Sequence, residues 1–232
     1  MPLEGVSVGC DCGYAARMYD LTLSFDNGPD AAVTPAVLDV LARRGVRATF
    51  FVLGHRLADP ALHRLAERAH AEGHWIGNHT YTHSGPLGRR EGPVADDEIG
   101  RTEALIGPLA HPDKLFRPQG GGGVIGPGLL KREVVEHLTA QRYTCVLWNA
   151  IPGDWRDPDS WVDTALAQCR AQAWTLIVLH DIDSGAMRHL DRFMGAAADL
   201  GARFRQEFPP DCVPIVRGEV VRPIEAYVSG VA

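Results

Sequence analysis

The chain has 232 residues, 45% of them hydrophobic and 22% charged, with a formal net charge of −6. That length suits one α/β barrel, and that composition supports a core without disulfides or a structural metal, so any metal present serves chemistry. The acidic balance, with no basic cluster longer than a pair such as Arg89 and Arg90, excludes a general nucleic-acid binder.

The opening "MPLEGVSVGCDCGYAARMYD" lacks a basic leader and a continuous apolar run, and no stretch reaches the roughly 18–20 apolar residues of a membrane span. Five scattered cysteines, Cys10, Cys12, Cys145, Cys169 and Cys212, form no disulfide framework. The expectation is a soluble cytoplasmic protein with no membrane or nucleic-acid partner. Residues 1–20 read as an N-terminal arm or strand and 21–232 as one domain. The sequence does not give the oligomeric state or a role for Cys10 and Cys12.

From residue 21 short β-rich runs alternate with helical patterns. "LTLSF" (21–25) reads as a strand, followed by a helix with Thr34 as N-cap, Pro35 first and Gly45 as its stop. "RATFFVL" (47–53) is a second strand. It leads to a helix opened by Asp59 and Pro60 and closed near Gly73, with Ala61, Leu62, Leu65, Ala66 and Ala69 as its apolar face. "HWIGNH" is a short strand, "ADDEIGRTEALIG" a helix, "KLFR" a strand and "GPGLLKREVVEHLTAQ" a helix. "YTCVLW" (143–148) and "WTLIVLH" (174–180) are strands flanking a helix over about 160–171. A helix over about 187–208 and the run "CVPIV" end the series. Six or seven such βα units without a linker predict one parallel α/β domain.

Ligands of parallel α/β folds sit at the carboxyl ends of the strands, and here those exits are polar. They carry Asp26 and Asn27, then "NHTYTH", "RPQGGGG", "NAIPGDW", and His180 with Asp181. His79 and His83, four apart, have the spacing of paired metal ligands. Chance supplies such pairs in a histidine-rich chain, and His70 with His74 is another. His70 lies near a helix end, where a structural role suffices, whereas His79 and His83 follow a strand. The other exits supply parts for amide hydrolysis. Asp26 can serve as base, His180 as acid, and Arg117 can hold a carboxylate. Alone, Asp26–Asn27–Gly28–Pro29 is also an ordinary turn, and His180 an ordinary strand-end histidine. Trp75, Trp148 and Trp155 can form a sugar-stacking wall, with Trp75 and Trp148 also reading as core.

In order, "SFDNGP", "HTYTH", "RPQGG", "IPGDW" and "VLHD" resemble the five motifs of the polysaccharide deacetylases of the NodB-homology type, carbohydrate esterase family 4. The likeness covers about residues 20–181, with "ATFFVLG" and "GHWIGNHTYTH" as supporting stretches. It implies a distorted (β/α)7 barrel that removes acyl groups, usually N-acetyl from amino sugars, with a divalent metal. By that resemblance Asp26 is the base, Asn27, His79 and His83 the metal ligands, and Arg117 the group orienting the base. Asp154 tunes the acid His180, Trp155 and Leu179 are apolar walls around the acetyl methyl, and Thr80 steadies the ligand loop.

Three departures stand out. Asn27 offers a neutral amide oxygen where the family has a carboxylate, which predicts weak or absent metal binding. The third motif lacks its proline and aromatic pair, so an oxyanion donor there is a backbone N–H made accessible by Gly120 and Gly121. In the fourth motif Asn149 and Pro152 leave Asp154 as the secure carboxylate. The expected activity is metal-dependent removal of an N-acyl group from an amino sugar, an oligosaccharide or a small acylated metabolite. Zinc is the expected cation, with cobalt, nickel or manganese as alternatives. One rival is a metal-independent amide or cyclic-imide hydrolase of the same fold, and a farther one is a non-catalytic carbohydrate-binding domain.

Overall fold

Strict alternation in the first strand sets up the molecule. In the computed structural model, which describes residues 18–230, β1 (Tyr19–Asp26) places Leu21, Leu23 and Phe25 in the largest apolar cluster. Thr22, Ser24 and Asp26, the intervening residues, are buried as well. A strand buried on both faces must satisfy its polar side internally, and here that side faces the inside of a barrel whose upper end is Asp26.

After β1 come α1 (Val33–Arg44), β2 (Thr49–Val52), α2 (Gly54–Leu57), α3 (Pro60–Ala71) and β3 (Trp75–Asn78). The chain continues through α4 (Arg101–Ile106), β4 (Leu115–Phe116), β5 (Leu130–Lys131), α5 (Arg132–Ala140) and β6 (Thr144–Cys145). It then forms α6 (Trp161–Arg170), β7 (Trp174–His180), α7 (Leu190–Asp199) and β8 (Ala202–Arg205). The last strands are β9 (Ile215–Val216), β10 (Glu219–Val220) and β11 (Val228–Ser229).

Strands β7, β1, β2, β3, β4 and β6 pair side by side, all parallel, and β8 runs parallel to the first half of β1. The ring closes where the segment leaving β6 bridges Ala150 to Ile177 of β7. This is the distorted parallel barrel expected from the resemblance. Its closure rests on one bridge, and β9 and β10 pair antiparallel beyond β6. The main core lies between the sheet and α1, α6 and α7, where Trp161, Phe193 and Leu190 are fully buried.

Several sequence-level boundaries move. Thr34 does not cap α1. Ala32 holds the cap position, Asp30 Oδ1 accepts from the amides of Ala32 and Val33 at 3.0 and 3.1 Å, and Thr34 is inside the helix. Asp59 does cap α3, accepting from the Ala61 amide at 2.8 Å, with Pro60 first. The long helix expected over 187–208 ends at Asp199. Gly201, at φ +90°, turns the chain into β8, because pairing with the open half of β1 outweighs local helix propensity. The first part of "GPGLLKREVVEHLTAQ" is strand β5, paired with β11, rather than helix. The turn Asp96–Gly100 ahead of α4 is π-helical. β1 starts inside the expected N-terminal arm; the rest of that arm, with Cys10 and Cys12, lies outside the described residues.

Candidate active site

Register brings the base and acid candidates together. Asp26 ends β1 and His180 ends β7, and the two are direct partners in the parallel pairing. Because side chains alternate along a strand, both turn into the same cavity of about 260 Å³, lined also by Asn27, His79, His83, Gln119, Trp148 and Trp155.

Each of the two is held by a buried partner. Arg117, just after β4, is fully buried. Its Nη1 donates to Asp26 Oδ1 at 2.9 Å and to Ser24 Oγ at 2.7 Å, and its other donors reach the carbonyls of Val146 and Leu147. Its guanidinium carbon also sits 4.0 Å from the centre of the Phe51 ring. Burial alone would raise the Asp26 carboxyl, but the charge of Arg117 first, then the charge of His180 and the hydrogen bond from Arg117, outweigh it, and the acid is held below its usual range. Beside it, His180 Nδ1 lies 2.8 Å from Asp154 Oδ1, and Asp154 Oδ2 accepts from the His180 amide at 2.9 Å. Burial alone would lower this imidazole, but the bond to and charge of Asp154, joined by Asp26 and Asp181, raise it. The shifts thus favour the carboxylate at Asp26 and the imidazolium at His180, the forms needed in a base and an acid.

The histidine pair differs in kind. His79 Nδ1 meets the Arg117 carbonyl at 2.8 Å. A carbonyl can only accept, so Nδ1 carries the proton and Nε2 presents a lone pair. That lone pair lies 3.5 Å from Asp26 Oδ2. Two acceptors facing each other need a proton, a water or a cation between them. Burial lowers His79, and it takes His83 down to about 3, so both rings are neutral. Their centroids are 5.1 Å apart. Asn27, in a left-handed conformation at φ 74°, has a buried Oδ1 without a hydrogen-bond partner among the described residues. Among the described residues no three His, Cys, Asp or Glu side chains are arranged to hold a metal. Two neutral imidazoles and an orphaned amide oxygen on one cavity wall nevertheless fit a divalent cation in their donor chemistry.

Two expected contacts are corrected. Leu179 does not line the cavity; it pairs with Phe25 and is fully buried in the helix-facing core, because its neighbours Val178 and His180 take the inward face. Gly121 is likewise not on the wall, whereas Gly120, Gly122 and Gly123 are. At Gly120 a Cβ would come within 2.6 Å of the Trp148 ring, so glycine there makes room for that indole. Trp155 lines the cavity, edge-on to His180 with centroids 4.6 Å apart. Trp148, read as core, is both: it is 7% exposed, lines the cavity, and donates to the Gly123 carbonyl. Trp75 packs on His111 and Phe208, away from the cavity. His70 is exposed, and His74 Nδ1 accepts from the Ala48 amide, so that pair is structural. The sequence reading missed Ser24, Gln119 and Val178. For Ser24 the signal was present, in the alternation of β1.

A family model described as "Polysaccharide deacetylase" matches residues 16–136. The chain belongs to this family. It is 36% identical over 168 residues to a chitooligosaccharide deacetylase of Rhizobium leguminosarum bv. phaseoli, covering 69% of this chain and 67% of that one. A peptidoglycan-N-acetylglucosamine deacetylase of Bacillus cereus is 29% identical over 194 residues, covering 80% and 66%. The chain thus spans about two thirds of the length of these relatives. Among solved structures, a family 4 carbohydrate esterase from Streptomyces lividans in complex with acetate superposes with a TM-score of 0.68 at 27% identity, covering 90% of this chain and 100% of that one. A peptidoglycan N-acetylglucosamine deacetylase bound to 4-naphthalen-1-yl-N-oxidanyl-benzamide gives 0.68 at 28%, covering 87% and 91%. The fold and family make this chain a deacetylase, a hydrolase acting on amide bonds.

Proposed function

We propose that the protein removes an N-acetyl group from an amino sugar, alone or in a short oligosaccharide, with a divalent cation held by His79, His83 and Asn27. The observation that carries this reading is the side-by-side placement of two buried proton-transfer posts on one cavity, Asp26 on Arg117 and His180 on Asp154. The relatives support the acyl group and the sugar: two act on chitooligosaccharide or peptidoglycan N-acetylglucosamine by name, and another carries acetate.

A bound cation, zinc in the first instance, supplies Lewis-acid polarisation of the acyl oxygen and acidification of water. Asp26 takes the proton of the attacking water on Oδ2, the oxygen that Arg117 leaves free. His180, its Nδ1 committed to Asp154, gives the proton on Nε2 to the departing amine. Trp155 and Trp148 wall the acyl end. A cavity of about 260 Å³ lies at the small end of ligand sites, so one acylated ring is read inside it and any further residues of an oligosaccharide outside. The reading includes a cytoplasmic setting without membrane or nucleic-acid partners, supported by the buried free thiols of Cys145, Cys169 and Cys212 and the net charge of −6.

Amine release from N-acetylglucosamine and its short oligomers tests this, with Asp26→Ala and His180→Ala each expected to lower kcat by about 10²–10⁴. Unchanged rates in folded, cation-loaded variants would refute it. A second reading, metal-independent hydrolysis of an amide or cyclic imide, is favoured by the amide at position 27 alone. Activity that survives removal of all bound metal would select it.

A further inference from the structure

The two histidines of "HTYTH" are anchored by different means. His79 belongs to the barrel: its amide donates to the Val52 carbonyl at 3.0 Å and its ring to the Arg117 carbonyl. His83 lies four residues on, past left-handed residues at Thr80 (φ 74°) and at His83 itself (φ 54°). Its own amide has only a 3.3 Å bond to Thr80 Oγ. A loop in two uncommon conformations holds its shape only where its surroundings over-determine it.

The over-determining group is Glu98. Its carboxylate is 2% exposed. Oε2 accepts from the amides of Tyr81 and Thr82, both at 2.9 Å, and Oε1 accepts from Thr82 Oγ at 2.6 Å and from Arg90. Glu98 sits at the centre of the π-helical turn Asp96–Gly100, a local departure from α-helix that is frequent at functional sites. Its anchorage continues through Thr102 Oγ, which donates to the Glu98 carbonyl at 2.9 Å.

We infer that Glu98 is a positioning residue that sets His83 relative to His79 by clamping the intervening backbone. The inference rests on the reading of the two histidines as cation ligands. A buried carboxylate that accepts two successive amides fixes both the direction and the height of that turn, and its charge is balanced by Arg90. Among the described residues nothing comparable holds His83 through its ring, whereas His79 is fixed at both amide and ring.

The test uses the full chain stripped of metal and titrated with Zn²⁺ or Co²⁺ by calorimetry. Glu98→Ala is expected to weaken cation affinity by about tenfold or more, as loss of a ligand-orienting group does in other metal sites. Glu98→Gln, which keeps the volume and one acceptor, is expected to recover part of that loss and serves if the alanine variant does not fold. Ring resonances of His83 should move in either variant and those of His79 should stay. A folded Glu98 variant with wild-type cation affinity and an unmoved His83 ring overturns the inference. Wild-type protein that binds neither cation refutes the metal reading instead, and the His83 resonances still decide the role of Glu98.

Discussion

The two halves of the cavity are built to different standards of completeness. In the proton-transfer half every supporting atom is used: Arg117 spends its donors on Asp26, Ser24 and two carbonyls, and Asp154 accepts through both oxygens. In the histidine half the bonds run short. Asn27 Oδ1 has no partner among the described residues, His79 Nε2 faces another acceptor, and Asn27, Thr80 and His83 all take left-handed backbone. Satisfied buried networks are rigid and unsatisfied ones await a ligand. The first half is therefore preorganised by the protein, and the second is the half in which the proposed cation would find free donors.

The sharpest way to break the comparison is to remove a support from the complete half. Arg117→Met should abolish most activity and cost about 3–5 kcal/mol, because it leaves the Asp26 carboxylate buried without its cation. The depressed Asp26 pKa contributes stability that is present above the unfolded carboxyl range and lost as pH falls through the folded value. Arg117→Met should thus flatten the acid limb of the stability curve, read by chemical denaturation, and move the acid limb of the pH–rate profile upward. Next, Asp154→Asn should lower kcat by about 10²–10³ while leaving KM nearly unchanged. Asp154 raises His180, so the alkaline limb of the rate profile should move to lower pH; an unmoved limb would separate His180 from the acid role.

The histidine half should respond in the opposite sense. Asn27→Asp adds a charge where an oxygen lies idle, and it should tighten divalent-cation binding by about tenfold, since affinity follows ligand charge. Equal or weaker binding in calorimetry would remove position 27 from the ligand set. The smallest effect is expected at Asp181, whose carboxylate lies against Gly28. Its carboxyl is pushed by burial up to about 7, Oδ1 is unpartnered, and Oδ2 accepts from Thr34 Oγ at 2.5 Å. A raised acid contributes stability fully present below about pH 4 and lost as pH rises through about 7. Asp181→Asn should raise Tm by about 3 °C at pH 8 and leave it unchanged near pH 3.5.

Much of this site was legible in the sequence because its residues follow strands that announce themselves. "LTLSF" and "WTLIVLH" are apolar enough to locate, and the candidate residues Asp26 and His180 stand at their ends. What escaped was whatever depended on the inward or outward sense of a strand. Leu179 sits beside His180 in sequence yet belongs to the opposite face, while Ser24, two before Asp26, shares its face and shares Arg117. Glu98 was hidden for another reason: it lies in a helical stretch with ordinary surface composition, and only the π-turn swings it under the loop.

By itself the sequence determined the strands that form the barrel wall from β1 to β7 apart from β5, the polar exits, and the amide at position 27, because these are set by hydrophobic pattern and residue chemistry. The tertiary structure alone decided that Asp26 and His180 are register partners and that the ring closes at Ala150. It also decided that Arg117 reaches Asp26 across the barrel and that Glu98 clamps the histidine loop. Those contacts join residues 16 to 154 positions apart. They follow from strand pairing and side-chain alternation in three dimensions, which no local pattern encodes.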